Sequence, residues 1–147
     1  MFNPYVQYMY SYPHKTAYRF MPSLSLKDYF PRLGGAGHGL YLHIPFCQTK
    51  CGYCNLFSVT GQSAETMDRY LSAVECQVSQ YVPLFPDSCR FSSLTIGGGT
   101  PLLLSGRQLD RIFGMLEKVR PFFGIREIII ETAPNQTTRE KLHCLKK

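Results

Sequence analysis

The sequence predicts an α/β fold in which parallel strands alternate with helices. Short apolar runs of strand length alternate with longer segments that carry apolar residues at three- and four-residue steps. Prolines and glycines separate the two kinds of segment. Three strand–helix repeats in this order predict right-handed crossover connections and a sheet on which the helices pack.

Residues 1–39 are predicted to form an irregular amino-terminal extension, and residues 40–147 the domain proper. The first 18 residues include five tyrosines, and prolines recur until the glycine-rich residues 34–39. Basic side chains among these rings are also typical of a platform for single-stranded nucleic acid. No RNA-binding motif accompanies them, so we expect the rings to pack on the domain and do not expect nucleic acid as a partner.

Three apolar runs predict the strands. The first, residues 40–44, ends at Pro45; the second, residues 91–96, ends at three glycines; the third, residues 127–131, contains three consecutive isoleucines. A continuous apolar run is typical of a strand that is buried on both faces. We therefore expect both faces of the third strand to be covered.

Helical periodicity predicts the three connecting helices. Residues 63–83 and 105–121 each begin with a serine, carry one apolar face and end at a proline. Ser105 and Gln108 have the spacing of a capping box. A third helix is predicted to begin within residues 135–145.

Three unusual features follow the ends of the three predicted strands. The closely spaced Cys47, Cys51 and Cys54 follow the first strand, glycines 97–99 follow the second, and Glu131 ends the third. Ligands of parallel α/β folds bind beyond the carboxyl ends of the strands. The sequence therefore predicts one ligand-binding rim that contains all three features.

The clustered cysteines favour metal binding over disulfide formation. Soft thiolates select zinc, cuprous copper or iron–sulfur clusters. A structural zinc site needs a fourth ligand, for which His43, Cys76 and Cys89 are candidates. Three thiolates on a cubane cluster leave one iron open to a substrate or cofactor. Spacing alone favours iron–sulfur and leaves zinc or a metal-free loop as alternatives.

Composition excludes several classes of protein. With 44% hydrophobic and 18% charged residues, the chain is neither a disordered tail nor a membrane bundle. Residues 1–12 have no secretory signal pattern, so we expect a reducing, cytoplasmic location in which thiols stay free. A net charge of +6 weakly suggests an anionic ligand, but charge alone favours a solvated basic surface.

The motifs together resemble one family. YLHIPFC at residues 41–47, CGYC at 51–54 and GGGTP at 97–101 resemble the radical S-adenosylmethionine (SAM) enzymes, and most closely their oxygen-independent coproporphyrinogen III oxidase branch. The resemblance spans residues 40–135. The aromatic, proline-containing residues 10–13 also resemble a segment near the start of that branch.

The resemblance implies a site made of a [4Fe–4S] cluster and SAM. Cys47, Cys51 and Cys54 would ligate the cluster, and the amino and carboxylate groups of SAM would chelate its fourth iron. The residues that would contact SAM are Tyr41, Tyr53 against the adenine, Gly98, Gly99, Thr100 and Glu131. In the oxidase one of these glycines serves the cluster-bound SAM and its neighbours a second SAM.

The implied activity is that of an oxidoreductase. One electron from the reduced cluster cleaves SAM into methionine and a 5′-deoxyadenosyl radical, which abstracts a substrate hydrogen. In the oxidase, porphyrinogen propionates lose carbon dioxide and become vinyl groups. The partners implied are a small-molecule, tetrapyrrole-like substrate and an electron donor such as flavodoxin or ferredoxin, with no membrane partner. No catalytic residue is assigned beyond the cluster.

Two departures from the family pattern leave alternatives open. Leu56 stands where the oxidase proper has a further cysteine, which makes a haem-handling chaperone relative an alternative; a zinc-stapled nucleic-acid-binding domain is another. A radical SAM barrel also needs more than three strand–helix units. We therefore expect a partial barrel from the amino-terminal part of such a protein, with an unpaired sheet edge and low stability in isolation.

Overall fold

The computed structural model describes residues 19–20 and 22–146, so the resemblance at residues 10–13 lies outside the described part. In chain order its strands are β1 (Gly35–Ile44), β2 (Phe46–Cys47), β3 (Val59–Thr60), β4 (Cys89–Gly98) and β5 (Phe123–Ile130). Its α-helices are α1 (Ala64–Tyr81), α2 (Gly106–Glu117) and α3 (Arg139–Cys144). Short 3-10 turns connect several of these elements.

The main sheet is parallel and has the strand order β1-β4-β5. Tyr41 of β1 lies beside Thr95 of β4, which lies beside Ile129 of β5. β2 and β3 form a separate parallel pair that holds both ends of the cysteine-bearing loop. The predicted α/β class with parallel strands is therefore confirmed, and the sheet is not closed into a barrel.

Helices α1 and α2 form because each has a capped start and one apolar face. The Ser63 hydroxyl accepts a hydrogen bond from the main-chain N–H of Thr66, and Ser105 and Gln108 form the capping box that their spacing predicts. The buried apolar residues of the helices are Met67, Leu71 and Val74 on α1 and Leu109, Ile112 and Met115 on α2. They pack on Leu94 and Ile96 of the central strand, forming the core.

All three strands of the main sheet begin earlier than their apolar runs indicate, and β4 does so by two residues, at Cys89. β1 starts at Gly35, whose N–H donates to the carbonyl of Ser88, and β5 starts at Phe123. Gly35 and Gly37 both have a φ of +96°, and the pairing with β4 shifts register between Gly35 and His38 and again between His38 and Gly39. Glycine tolerates this backbone, so residues that look like a loop in the sequence still pair as a strand.

The expectation that the third strand is buried on both faces is wrong. The side chains of Ile128 and Ile129 are 57% and 45% exposed. Among the described residues β5 is an edge strand paired only with β4, and the following α3 covers little of it because α3 is limited to Arg139–Cys144. The apolar run identified the strand correctly but not its position in the sheet.

Within residues 19–20 and 22–146, no helix is both long enough and apolar enough to cross a membrane.

Candidate functional site

Three segments meet at the carboxyl ends of the parallel strands. We call them the Cys loop (residues 47–58), the glycine turn (residues 97–101) and the β5 loop (residues 131–137). The N–H groups of Gly99 and Thr100 donate to the carbonyls of Ile44 and Phe46, each at 2.7 Å. The Glu131 N–H donates to the Ile96 carbonyl at 2.9 Å. Main-chain hydrogen bonds thus hold all three segments on one rim, as the order of the elements predicts.

The glycine turn lets neighbouring groups pack directly against its backbone. A Cβ on Gly97 would lie 2.7 Å from Cδ of Glu131, and one on Gly99 would lie 2.6 Å from the Phe46 carbonyl oxygen and 2.9 Å from Sγ of Cys47. The close approach allowed by these glycines is therefore used by the chain's own carboxylate, carbonyl and thiol groups.

Glu131 is anchored to the glycine turn by its side chain. The Gly98 N–H donates to Oε2 of Glu131 at 2.8 Å, and the residue as a whole is exposed. A hydrogen bond to a charged acceptor is stronger than one between neutral groups, so it orients the carboxylate at the strand ends. The other oxygen, Oε1, belongs to a negative group that can accept from a ligand's hydroxyl or ammonium group.

His43 connects β1 to the far end of the Cys loop. Its Nε2 donates to the Phe57 carbonyl at 2.8 Å, which leaves Nδ1 as an acceptor, 3.5 Å from the Tyr41 hydroxyl. The Tyr70 hydroxyl donates to the carbonyl of His43 at 2.6 Å. These contacts fix the His43 ring in the rim and make it a structural support of the Cys loop.

Tyr41 is half exposed and lies near the carboxylate of Glu131. Burial raises the pKa of Tyr41, and the negative charge of Glu131 raises that pKa further. The phenol therefore keeps its proton at neutral pH and can donate a hydrogen bond. The rim therefore carries a phenol donor whose pKa responds to the charge of the Glu131 carboxylate.

The three clustered cysteines are free thiols with different surroundings. Cys47 is half buried, and the Thr100 hydroxyl contacts its Sγ at 3.9 Å. Cys51 is exposed, whereas Cys54 is half buried with its Sγ 3.8 Å from the Ser58 hydroxyl. A hydrogen bond from the Cys54 N–H to the Cys51 carbonyl at 3.0 Å makes a tight turn between these two residues.

The structure places the three cysteines on one loop but does not bring their sulfurs together. Among the described residues, no group of three or more His, Cys, Asp or Glu side chains is arranged to hold a metal ion. The donor set fits an iron–sulfur cluster in kind, because three free, soft thiols come from one short loop. Binding would have to draw the sulfurs together, as is common when metal binding orders its own site. Cluster ligation therefore stays a prediction.

The candidate fourth ligands for zinc are unsuitable in this structure. His43 bonds to the Phe57 carbonyl. Cys89 begins β4, so it lies roughly 30 Å from the glycine end of that ten-residue strand. Cys76 is an exposed residue of α1. A zinc site closed by these side chains has no support from the fold.

Tyr53 lies on the Cys loop with 88% of its side chain exposed. An exposed aromatic ring offers a stacking surface, but none of the described contacts orients this ring toward the rim. Its assignment to the SAM adenine stays a prediction, as do the SAM contacts assigned to Tyr41, Gly98, Gly99, Thr100 and Glu131.

Replacing Glu131 with Gln is expected to lower the pKa of Tyr41 toward its ordinary value. The substitution removes the negative charge but retains an oxygen that can accept from the Gly98 N–H. Ultraviolet titration of phenolate, with the Tyr41→Phe protein as background, measures this shift. Glu117→Gln at the end of α2 is the matched control; an unchanged Tyr41 pKa in Glu131→Gln would contradict the assigned proximity.

Curated proteins and a solved structure are similar to this chain. No family model matches the chain. It is 35% identical over 107 residues to the oxygen-independent coproporphyrinogen III oxidase of Salmonella typhimurium, covering 73% of this chain and 23% of that protein. It is 36% identical over 109 residues to the protein named heme chaperone HemW of Bacillus subtilis, covering 72% of this chain and 28% of that protein.

A solved structure extends the similarity to nearly the whole chain. The structure of coproporphyrinogen III oxidase (HemN) from Escherichia coli, described as a radical SAM enzyme, superimposes with a TM-score of 0.73 at 28% identity. The match covers 97% of this chain and 33% of that one. The chain spans about a quarter of the length of the curated relatives it matches. It belongs to the oxygen-independent coproporphyrinogen III oxidase-like branch of the radical SAM superfamily, with part of that fold.

Proposed function

We propose that the rim is the cluster- and SAM-binding edge of a radical SAM oxidoreductase that acts on a porphyrin or porphyrinogen. The observation that carries this proposal is that the glycine turn is hydrogen-bonded both to Phe46, the residue before the Cys loop, and to the Glu131 carboxylate. Family membership supplies the reaction class, and the position of the rim at the strand ends suits a ligand site.

The chain's own residues have distinct proposed tasks. Cys47, Cys51 and Cys54 would hold the [4Fe–4S] cluster, which when bound supplies the electron that cleaves SAM. The Glu131 carboxylate, oriented by the Gly98 N–H, would accept a hydrogen bond from SAM. The Tyr41 hydroxyl would border the same ligand, a role that the electrostatic effect of Glu131 on its pKa supports.

Two further parts of the proposal concern the surroundings of the rim. The exposed ring of Tyr53 would stack on the adenine of SAM, covering one face of it. A protein electron donor of the flavodoxin or ferredoxin type would reduce the cluster, in a cytoplasmic setting. Both the substrate and the donor belong to the whole protein's activity, of which this chain carries one part.

Anaerobic reconstitution of the 147-residue chain with iron and sulfide tests the proposal. The expected result is thiolate-to-iron charge-transfer absorbance, followed after reduction by formation of 5′-deoxyadenosine from SAM. One tightly bound zinc ion with no bound iron would contradict it. The matched comparison is the same assay on a chimera in which this chain replaces the corresponding segment of the Salmonella typhimurium oxidase, since a partial barrel holds SAM less firmly.

A haem-handling role is the second candidate. Leu56, 47% exposed, occupies the position where the oxidase proper has a further cysteine, and one relative carries the name heme chaperone HemW. Such a protein would bind the cluster and a tetrapyrrole without oxidising it. Haem binding by the chimera without SAM cleavage would favour this role over the oxidoreductase.

A further inference from the structure

Three side-chain amides join the Cys loop to the β5 loop. Gln48, the residue after Cys47, accepts two hydrogen bonds through its Oε1: one from Asn135 Nδ2 at 2.7 Å and one from Gln136 Nε2 at 3.1 Å. Both donors lie a few residues beyond Glu131. The two bonds therefore connect the segment that carries the cysteines directly to the segment that carries the rim carboxylate.

The same network reaches the third rim segment. Oε1 of Gln136 accepts from Nζ of Lys141 at 3.4 Å, and this ammonium also donates to the main-chain carbonyl of Leu102, just past the glycine turn. The amide orientations agree along the path, because Gln136 donates through nitrogen to Gln48 and accepts through oxygen from Lys141. One continuous side-chain path thus links all three segments.

The β5 loop is braced well enough to act as an anchor. The Thr137 hydroxyl donates to the Ala133 carbonyl at 3.1 Å and lies 3.1 Å from the Thr132 hydroxyl. A 3-10 turn over Pro134–Gln136 sits between these residues. By contrast, the hydrogen-bonding contact of the Cys47 side chain within the described part of the chain is a long one, 3.9 Å from the Thr100 hydroxyl. Pairing of β2 with β3 holds the backbone of Cys47, and Gln48 adds a side-chain restraint at the first residue past β2.

We propose that Gln48 is a positioning residue that holds the start of the Cys loop against the rim. Its amide acts only as an acceptor in the described contacts, so a carboxylate of the same length can replace it and an apolar chain of similar length cannot. The inference deepens the proposed function and rests on it: the restrained loop keeps the Cys47 thiol beside the glycine turn, to which the Glu131 carboxylate is hydrogen-bonded.

The first test measures the loop without any metal. In the metal-free 147-residue chain, Gln48→Met is expected to raise the alkylation rate of the half-buried Cys47 by about threefold or more, since lost hydrogen bonds ease local opening. Gln136→Met should act in the same direction from the other side of the bond. Gln48→Glu should restore the wild-type rate, and Gln77→Met on α1, whose amide bonds only to the Tyr81 hydroxyl in the described contacts, is the matched control. Cys76, read in the same digest, is the internal reference.

The second test uses a spectroscopic signature of the loaded protein. Binding of SAM changes the electron paramagnetic resonance spectrum of the reduced cluster. The SAM concentration at half of this change should rise about threefold or more in Gln48→Met and return to the wild-type value in Gln48→Glu. We expect the unfolding midpoint of Gln48→Met to equal that of wild type. Rescue of SAM binding by Gln48→Glu, together with this unchanged midpoint, distinguishes a positioning residue from a purely structural one.

The two tests separate the inference from the function it rests on. Equal Cys47 alkylation in wild type and Gln48→Met, or no rescue by Gln48→Glu, overturns the role of Gln48. Altered alkylation with a cluster whose SAM response is unchanged overturns the link between Gln48 and SAM. A third outcome is that alkylation is altered in Gln48→Met but not even the wild-type chain assembles a cluster. That outcome supports the positioning role of Gln48 and contradicts the proposed function.

Discussion

Replacing Cys51 with Ala is expected to abolish iron binding by the reconstituted chain. Loss of a group that merely supports a metal ligand typically costs about 10- to 100-fold in affinity, and loss of a ligand itself should cost more. Cys51 is exposed, so its removal should leave the fold intact. Iron and sulfide analysis after gel filtration, alongside circular dichroism of the metal-free chain, measures both effects.

Cys76→Ala supplies the matched control for this experiment. Cys76 is also an exposed, free cysteine, but it lies on α1 away from the rim. We expect its iron content to equal that of wild type. Full iron content in Cys51→Ala would contradict the assigned ligand set, and loss of metal in Cys76→Ala would point to a different one.

Replacing Gly98 with Ala is expected to destabilise the chain by about 3 kcal/mol, from left-handed backbone strain and overpacking together. Gly98 has a φ of +112°, and its added Cβ would overlap the ring of His43. Because His43 supports the Cys loop through Phe57, the substitution should also raise the alkylation rate of Cys54. Urea denaturation and thiol labelling measure the two effects.

Gly114→Ala makes the same chemical change at a position where the structure predicts a gain in stability instead of a loss. Gly114 lies within α2, and a Cβ there would meet nothing within 4 Å. Alanine is a better helix former by about 1 kcal/mol, so this variant should be more stable than wild type. An equal loss of unfolding free energy in Gly98→Ala and Gly114→Ala would show that the crowding and positive φ at Gly98 do not determine the effect of its substitution.

The fold could be predicted where local chemistry determines it. Pro45 ends the first apolar run, and Ser63 and Ser105 cap helices that begin at the next residue. The early start of β1 could not be predicted, because glycines at 35 and 37 are typical of loops and become strand only by pairing with β4. The exposure of β5 depends on which strand lies at the edge, and a run of isoleucines does not encode that.

The location of the candidate site could be predicted better than its contacts. Parallel strands bring their carboxyl ends together, so the order of the motifs along the chain was enough to place the Cys loop, the glycine turn and Glu131 on one rim. The bonds that join them use the Gly98 N–H, the Phe57 carbonyl and the amide of Gln48. Main-chain groups leave no sequence signal, and a single exposed glutamine resembles any other surface residue.

Electron–nuclear double resonance of the reduced, reconstituted chain with ¹⁵N-amino-labelled SAM tests the central claim most directly. That claim is that the rim binds a cluster and SAM in contact with each other. The account predicts a ¹⁵N hyperfine coupling on the cluster signal that is strong in wild type and weakened in Glu131→Gln, whose side chain is a poorer acceptor for the ligand. A well-formed cluster signal with no coupling to the label at saturating SAM would contradict the account.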